Sequence, residues 1–194
     1  GAVGEGWTNN HLHVSSTEND YERDYDERGF CSFVVSNPRQ EMRNNAFHFI
    51  SQYKRVDSAG PHMNNMGYVL PRDKLHYKLD FLNKYRFNIC FENGSSPGYV
   101  TEKLLNALQV KTLPIYWGSR TVGRDFNTKA FINAVDFGDF GSLVKYIAHL
   151  DSPAGKKEYL DIIEQPAFNN NIPNEFTNMD NLCDWWEKYV MGVR

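Results

Sequence analysis

Short apolar runs alternate with stretches of helical periodicity from Gly29 onward. The apolar runs predict strands at 30–35, 56–61, 87–91, 112–117 and 131–135. Apolar residues at helical spacing predict helices at 39–53, 74–84, 99–111, 141–150, 154–164 and 179–190. Strands that alternate with helices predict βαβ units and a mostly parallel sheet covered on both faces. The fold class predicted is therefore α/β.

Residues 1–28 do not share this pattern. The segment is polar, its second half is rich in Asp and Glu, and no helical or strand period organises it. We predict a linker or extended arm over 1–28 and one three-layer domain over 29–194, and we expect a further part of the protein before the arm.

Composition excludes several functional classes. The chain has 194 residues, of which 41% are hydrophobic and 23% charged, as in an ordinary globular domain. The net charge of −3 and the lack of a basic stretch argue against a nucleic-acid partner. The apolar runs are far shorter than the ~20 residues of a membrane span. Cys31, Cys90 and Cys183 match neither a zinc pattern nor a disulfide framework, and we interpret the first two as small buried hydrophobic residues.

The predicted helix at 99–111 carries the strongest candidate chemistry. On an α-helix Tyr99, Glu102, Lys103 and Asn106 share one face, which is expected to line the crevice beyond the strand ends. The free N–H groups of a first helical turn and a lysine ammonium favour an anion such as a phosphate. A glutamate there can accept hydrogen bonds from sugar hydroxyls or oppose developing positive charge. The alternative is an ordinary solvated helix face.

Other ligand motifs are missing. The chain has neither a Gly-x-x-x-x-Gly-Lys-Ser/Thr loop nor a Gly-x-Gly-x-x-Gly turn, so ATPase and dinucleotide-binding functions lose their usual support. Asp24-Tyr25-Asp26 mimics a manganese motif inside the arm, and of the histidines only His11 and His13 lie close together, so we predict no metal site. Arg43, near the start of the first predicted helix, is either a diphosphate clamp or surface charge.

Three blocks carry a resemblance: Phe87 to Asn93, Gly98 to Leu104 and Pro114 to Ser119. Together they resemble the signature of the α1,3/α1,4-fucosyltransferases, glycosyltransferase family 10, and are most similar to its bacterial members. The resemblance covers about 28–190. It implies a GT-B architecture of two Rossmann-like domains, of which this chain is similar to the C-terminal, GDP-fucose-binding one. The N-terminal acceptor domain is then expected to lie outside these 194 residues.

The resemblance also implies roles for five residues. Arg43 and Lys103 would bind the diphosphate, Asn93 and Tyr99 would line the nucleotide pocket, and Glu102 would contact the fucose ring. Arg43, Glu102 and Lys103 would form the catalytic group, while the general base would lie in the N-terminal domain. No cofactor or metal is required, because GDP-fucose is a substrate.

The implied reaction is inverting transfer of L-fucose from GDP-fucose to an N-acetylglucosamine or glucose hydroxyl, in α1,3 or α1,4 linkage. The implied acceptor is a glycan such as N-acetyllactosamine, with a role in protein glycosylation or lipopolysaccharide O-antigen synthesis. The bacterial resemblance implies a cytoplasmic location and leaves a peripheral inner-membrane contact open. Trp185, Trp186 and Tyr189 in the last predicted helix are interpreted as packing residues rather than a membrane-facing stripe. The isolated chain is expected to bind GDP-fucose or GDP weakly and not to turn over.

Two alternatives stay open at this point. One is a stand-alone nucleotide-sugar binding module without a catalytic half. The other is a GT-B transferase that uses another donor, such as GDP-mannose.

Overall fold

Five parallel strands form the centre of the structure, a computed structural model that describes residues 24–72 and 74–169. They are β1 (Gly29–Phe33), β2 (Val56–Ser58), β3 (Tyr85–Phe91), β4 (Leu113–Trp117) and β5 (Ile132–Asn133). Their order in the sheet is β2-β1-β3-β4-β5, and each neighbouring pair is parallel. The helices are α1 (Glu41–Tyr53), α2 (Leu75–Leu82), α3 (Glu102–Gln109), α4 (Phe140–Leu150) and α5 (Lys156–Ile163).

Helices cover both faces of the sheet. On one face α1, α4 and α5 pack over a core that contains Phe33, Phe87 and Ile89. On the other face α3 packs Leu104 against Cys90 and Tyr116, and α2 lies beside α3. The predicted fold class, a three-layer α/β domain with a mostly parallel sheet, is confirmed.

Strand β3 lies at the middle of the sheet. All seven of its residues are buried, which is what a strand covered on both faces requires. Aromatic and β-branched residues suit this environment, and Asn88 satisfies its amide by donating to the Ser32 Oγ at 2.8 Å and to the Ser32 carbonyl. The sequence pattern predicts this strand at 87–91, and the structure extends it to Tyr85.

Some predicted elements differ at their ends. The strand predicted at 131–135 is shortened to Ile132–Asn133, because the chain turns into a 3-10 helix over Ala134–Asp136. The helix predicted at 179–190 and Cys183 lie outside the described residues. Cys31 and Cys90 are buried free thiols, as predicted, and burial raises the pKa of both well above the ordinary value.

Of the segment predicted as an arm, the described part is 24–28, and it packs on the domain. Residues 24–27 are helical, and the Tyr25 ring is buried with its hydroxyl donating to the Leu150 carbonyl at 2.7 Å. Arg28 donates to the Lys111 carbonyl at 2.7 Å. The packed domain therefore begins no later than Asp24.

A buried ion pair ties the sheet to its helices at the amino end of β3. The side chain of Asp151 is 1% exposed and that of Arg86 is 10% exposed, and their closest atoms are 2.6 Å apart. Lys54 adds a second contact to the same carboxylate at 2.9 Å, and Arg86 also donates to the Tyr25 and Arg28 carbonyls. This cluster joins α1, α4, β3 and the packed N-terminal residues.

In the described part of the chain, no helix is long and apolar enough to cross a membrane.

Asp151→Asn is expected to lower the free energy of unfolding by about 3–5 kcal/mol, since it leaves the Arg86 guanidinium buried without a counter-charge. Urea denaturation measures this. The control is Asp26→Asn, because the side chain of Asp26 is 68% exposed in its pair with Lys156 and its loss should cost less than about 1 kcal/mol. Equal losses of unfolding free energy in the two variants would contradict a stabilising role for the buried Asp151–Arg86 pair.

Candidate functional site

The carboxyl ends of β3 and β4 lie side by side. Their parallel register pairs Phe91 with Trp117, and the Glu92 backbone N–H donates to the Trp117 carbonyl at 2.8 Å. The loops that leave these two strands therefore start next to each other. In open parallel sheets this edge is where ligands bind.

Glu92, the first residue after β3, organises the loop that follows. Its carboxylate is completely buried and accepts hydrogen bonds from the Thr101 backbone N–H at 2.7 Å and from the Thr101 hydroxyl. The Lys103 ammonium donates to the same carboxylate at 2.9 Å and to the Thr101 hydroxyl at 2.9 Å. Glu92 thus ties the end of β3 to the start of α3.

The contact with Glu92 also fixes where α3 begins. Thr101 is extended, with φ −116° and ψ −178°, and its side chain makes no capping hydrogen bond to the helix. Gly98, three residues before Thr101, has φ +75°, a conformation that favours glycine. The Gly98 N–H donates to the hydroxyls of Ser119 and Thr121. The loop 92–101 is therefore tied to the segment after β4 as well as to β3.

The helix predicted from Tyr99 therefore starts three residues later, at Glu102. Tyr99 lies in the preceding turn with 39% of its surface exposed, so it does not share a helix face with Glu102 and Lys103 as predicted. Asn106, one turn after Glu102, does share that side of α3, but it is buried at 2% exposure. Its amide nitrogen has no hydrogen-bond partner among the described residues. Of the four residues predicted on this face, only Glu102 and Lys103 are partly exposed residues of α3.

Arg43 lies against the same loop from α1. Its guanidinium is completely buried and donates to the Asn93 side-chain carbonyl at 2.7 Å and to the Asn37 backbone carbonyl. Burial lowers the pKa of Arg43, and the nearby Glu92 and Tyr99 side chains oppose that shift. Its Nε has no partner among the described residues. The structure thus places Arg43 beside Asn93 in an enclosed position, and a direct contact from Arg43 to a phosphate stays a prediction.

Glu102 is flanked by two lysines. The Nζ atoms of Lys78 and Lys103 are each 3.9 Å from its carboxylate, and its side chain is 29% exposed. Burial raises the pKa of Glu102, but the two ammonium groups, together with hydrogen bonds from the Glu102 backbone and the Thr101 side chain, outweigh it, and the pKa lies below the ordinary value. Burial lowers the pKa of Lys78, opposed by Glu102.

The sequence predicted five site residues at this edge of the sheet. The structure brings Arg43, Asn93, Glu102 and Lys103 together there, and Tyr99 lies in the same loop. Sequence reasoning missed three residues that contact them: Lys78, Glu92 and Thr101. Glu92 is adjacent to Asn93 in the resembling block and could have been singled out there. Lys78 comes from α2, and nothing in its own spacing points to Glu102. Among the described residues, no three His, Cys, Asp or Glu side chains converge as metal ligands.

Comparison with known proteins identifies relatives of this chain. The family model described as glycosyltransferase family 10 (fucosyltransferase) C-term matches residues 26–188. The alpha-(1,3)-fucosyltransferase of Helicobacter pylori is 40% identical over 159 residues, which are 82% of this chain and 32% of that protein. Alpha-(1,3)-fucosyltransferase 4 of Homo sapiens is 32% identical over 138 residues, which are 69% of this chain and 25% of that protein.

Solved structures of the same kind of enzyme share the fold. A crystal structure of an alpha1,3-fucosyltransferase with GDP-fucose matches with a TM-score of 0.70 and 34% identity, and covers 88% of this chain and 49% of that one. A structure of such an enzyme with GDP matches with a TM-score of 0.70 and 35% identity over 84% of this chain and 47% of that one. This chain therefore spans about a third or less of the curated relatives and about half of the solved ones.

Lys78→Met is expected to raise the pKa of Glu102, because it removes one of the two ammonium groups that hold the carboxylate ionised. A carbon-13 NMR pH titration of the Glu102 carboxyl measures the shift. Since the folded pKa lies below the ordinary value of 4.5, this ion pairing stabilises the fold above pH 4.5 and is lost as the pH falls through the folded pKa. Lys157→Met, at an exposed lysine of α5, is the control. An unchanged pKa in Lys78→Met would contradict the pairing.

Proposed function

This chain belongs to glycosyltransferase family 10, the fucosyltransferases, and on that basis we propose that it binds the sugar nucleotide GDP-fucose at the carboxyl edge of β3 and β4. The observation that carries the proposal is the Lys103 ammonium, held at the first turn of α3 beside this edge. Helix N-terminal N–H groups and a fixed ammonium are a suitable receptor for a diphosphate. Solved relatives were crystallised with GDP-fucose and with GDP.

The charges of the cluster support an anionic ligand. Arg43, Lys78 and Lys103 bring three positive charges against the two carboxylates of Glu92 and Glu102, which leaves one net positive charge for a diphosphate. We assign Lys103 and Arg43 to the diphosphate and Asn93 and Tyr99 to the nucleotide pocket. Lys103 and the start of α3 would offset the charge that gathers on the leaving GDP, so that no metal ion is needed.

Glu102 is proposed to face the fucose ring. Its lowered pKa keeps the carboxylate ionised at neutral pH, as stabilisation of an oxocarbenium-like transition state requires. Its partial exposure, in contrast to the enclosed Glu92, leaves it open to a ligand. The reaction proposed is inverting transfer of L-fucose to an N-acetylglucosamine or glucose hydroxyl of a glycan, in α1,3 or α1,4 linkage.

The general base and most acceptor contacts are proposed to come from sequence outside these 194 residues, since the solved relatives are about twice as long as the part that this chain matches. The present stretch would then supply donor binding, and its own N-terminal domain would be its partner.

Calorimetric titration tests the donor site. The chain is expected to bind GDP and GDP-fucose in preference to UDP, and GDP-mannose distinguishes a transferase that uses another donor. Lys103→Ala should weaken GDP binding by about tenfold to a hundredfold, the range for one hydrogen bond to a charged group. Arg43→Ala should weaken GDP binding too, together with a loss of stability because the residue is buried.

Lys157→Ala, at an exposed position of α5, should leave GDP binding unchanged. Equal affinity for UDP and GDP, or a Lys103→Ala variant that binds GDP normally, would overturn the proposed donor site.

A transfer assay tests whether the 194-residue chain can transfer fucose by itself. With labelled GDP-fucose and N-acetyllactosamine, the 194-residue chain is expected to give no fucosylated product, because the base that activates the acceptor hydroxyl is not among its residues. Product that forms with this chain and disappears in Glu102→Gln would contradict that expectation, whereas product that persists in Glu102→Gln indicates a contaminating enzyme.

A further inference from the structure

The Glu92 carboxylate has an unusual set of partners for a group with no exposed surface. It accepts from the Thr101 N–H, from the Thr101 hydroxyl and from the Lys103 ammonium, all between 2.7 and 2.9 Å. None of these donors belongs to a neighbouring position in the sequence, and the nearest of them is nine residues away. The carboxylate therefore joins two segments that the loop 93–100 separates.

We propose that Glu92 is a positioning residue of the donor site, which aims the Lys103 ammonium at the diphosphate and holds the first turn of α3 in place. This inference rests on the proposed function. The Glu92 carboxylate is negatively charged and already bonded to Thr101 and Lys103, so it would act on the diphosphate through Lys103 and not by direct contact.

The hydrogen-bond geometry of Lys103 supports this role. An ammonium has three N–H donors, and here one is given to Glu92 and one to the Thr101 hydroxyl. Glu102 lies 3.9 Å away, which is too far for a hydrogen bond. With two donors anchored, the third has a fixed direction and no hydrogen-bond acceptor among the described residues. A flexible lysine side chain is thereby oriented before ligand arrives, and such preorganisation raises affinity.

The Glu92 side chain packs directly against Gly118. A Cβ added to Gly118 would lie 2.7 Å from the Glu92 Cγ and 2.6 Å from the Tyr116 hydroxyl oxygen, closer than real contacts allow. The Tyr116 hydroxyl in turn accepts from the Ser119 N–H at 2.9 Å. The Glu92 side chain is therefore held between the ends of β3 and β4, and its carboxylate position follows from the sheet register.

Electrostatics alone predicts the opposite effect, which makes the proposal testable. As a simple negative charge near the diphosphate, Glu92 would repel GDP, and its neutralisation would tighten binding. As a positioning residue it favours binding, and its neutralisation weakens binding because Lys103 loses its anchor.

The experiment compares GDP with guanosine, which lacks the diphosphate, on the full 194-residue chain and on Glu92→Gln. The glutamine keeps the size of the side chain and an acceptor for the Thr101 N–H but loses the charge that holds Lys103. GDP affinity should fall by about tenfold, near the effect of losing one charged hydrogen bond, while guanosine affinity, followed by NMR titration, stays within about twofold. In a Lys103→Met background, Glu92→Gln should have no further effect on GDP.

Tighter or unchanged GDP binding in Glu92→Gln would overturn the proposal. So would an equal fall for GDP and guanosine, which indicates a general structural role. If thermal melting shows that Glu92→Gln is unfolded, Glu92→Asp replaces it, since it retains the charge but retracts the carboxylate by one methylene, with the same expectations. If the unaltered chain does not bind GDP, both the proposed function and this role of Glu92 are overturned. If the unaltered chain binds GDP but an expectation for Glu92→Gln fails, only the role of Glu92 is overturned.

Discussion

The parallel pairing of Phe91 with Trp117 sets where the two loops of the candidate site begin. It brings the first residues after β3 and β4 to one level, where Glu92 fits under Gly118 and reaches back to Thr101 and Lys103. Because the backbone hydrogen bonds of a buried sheet are rigid, the charged groups just after these strands start from fixed positions. A shift of one residue in this register would turn Glu92 to the other face of the sheet and separate it from Lys103.

Buried charge is used in two different ways at the two ends of β3. At the amino end, Asp151 forms ion pairs with Arg86 and Lys54, and these pairs connect the helices to the sheet. At the carboxyl end, the cations outnumber the carboxylates, and Glu102 is partly exposed between Lys78 and Lys103. The first cluster is expected to serve stability, and the second is the one proposed to receive an anion. The two clusters lie at opposite ends of the same strand.

Much of this could be predicted from the sequence, for physical reasons that are visible in particular residues. The apolar run at β3 predicted a strand buried on both faces, and the alternation with helices predicted the parallel sheet and hence the edge where Lys103 and Glu102 lie. The start of α3 was placed three residues too early because helical spacing does not reveal that Glu92 holds Thr101 extended. Lys78 was missed because its partner comes from another helix. Contacts of this kind depend on the path of the loop 92–101, which local periodicity does not determine.

The diphosphate of a guanine nucleotide is proposed to bind at Lys103 while Glu92 stays in place behind it. A crystal structure of the 194-residue chain with GDP tests this most directly. A phosphate oxygen within hydrogen-bond distance of the Lys103 Nζ, with the contacts of Glu92 to Thr101 and Lys103 preserved, is the predicted result. A diphosphate bound elsewhere on the domain would contradict the proposed role of Lys103. A diphosphate that displaces Glu92 from Lys103 would contradict the proposed role of Glu92.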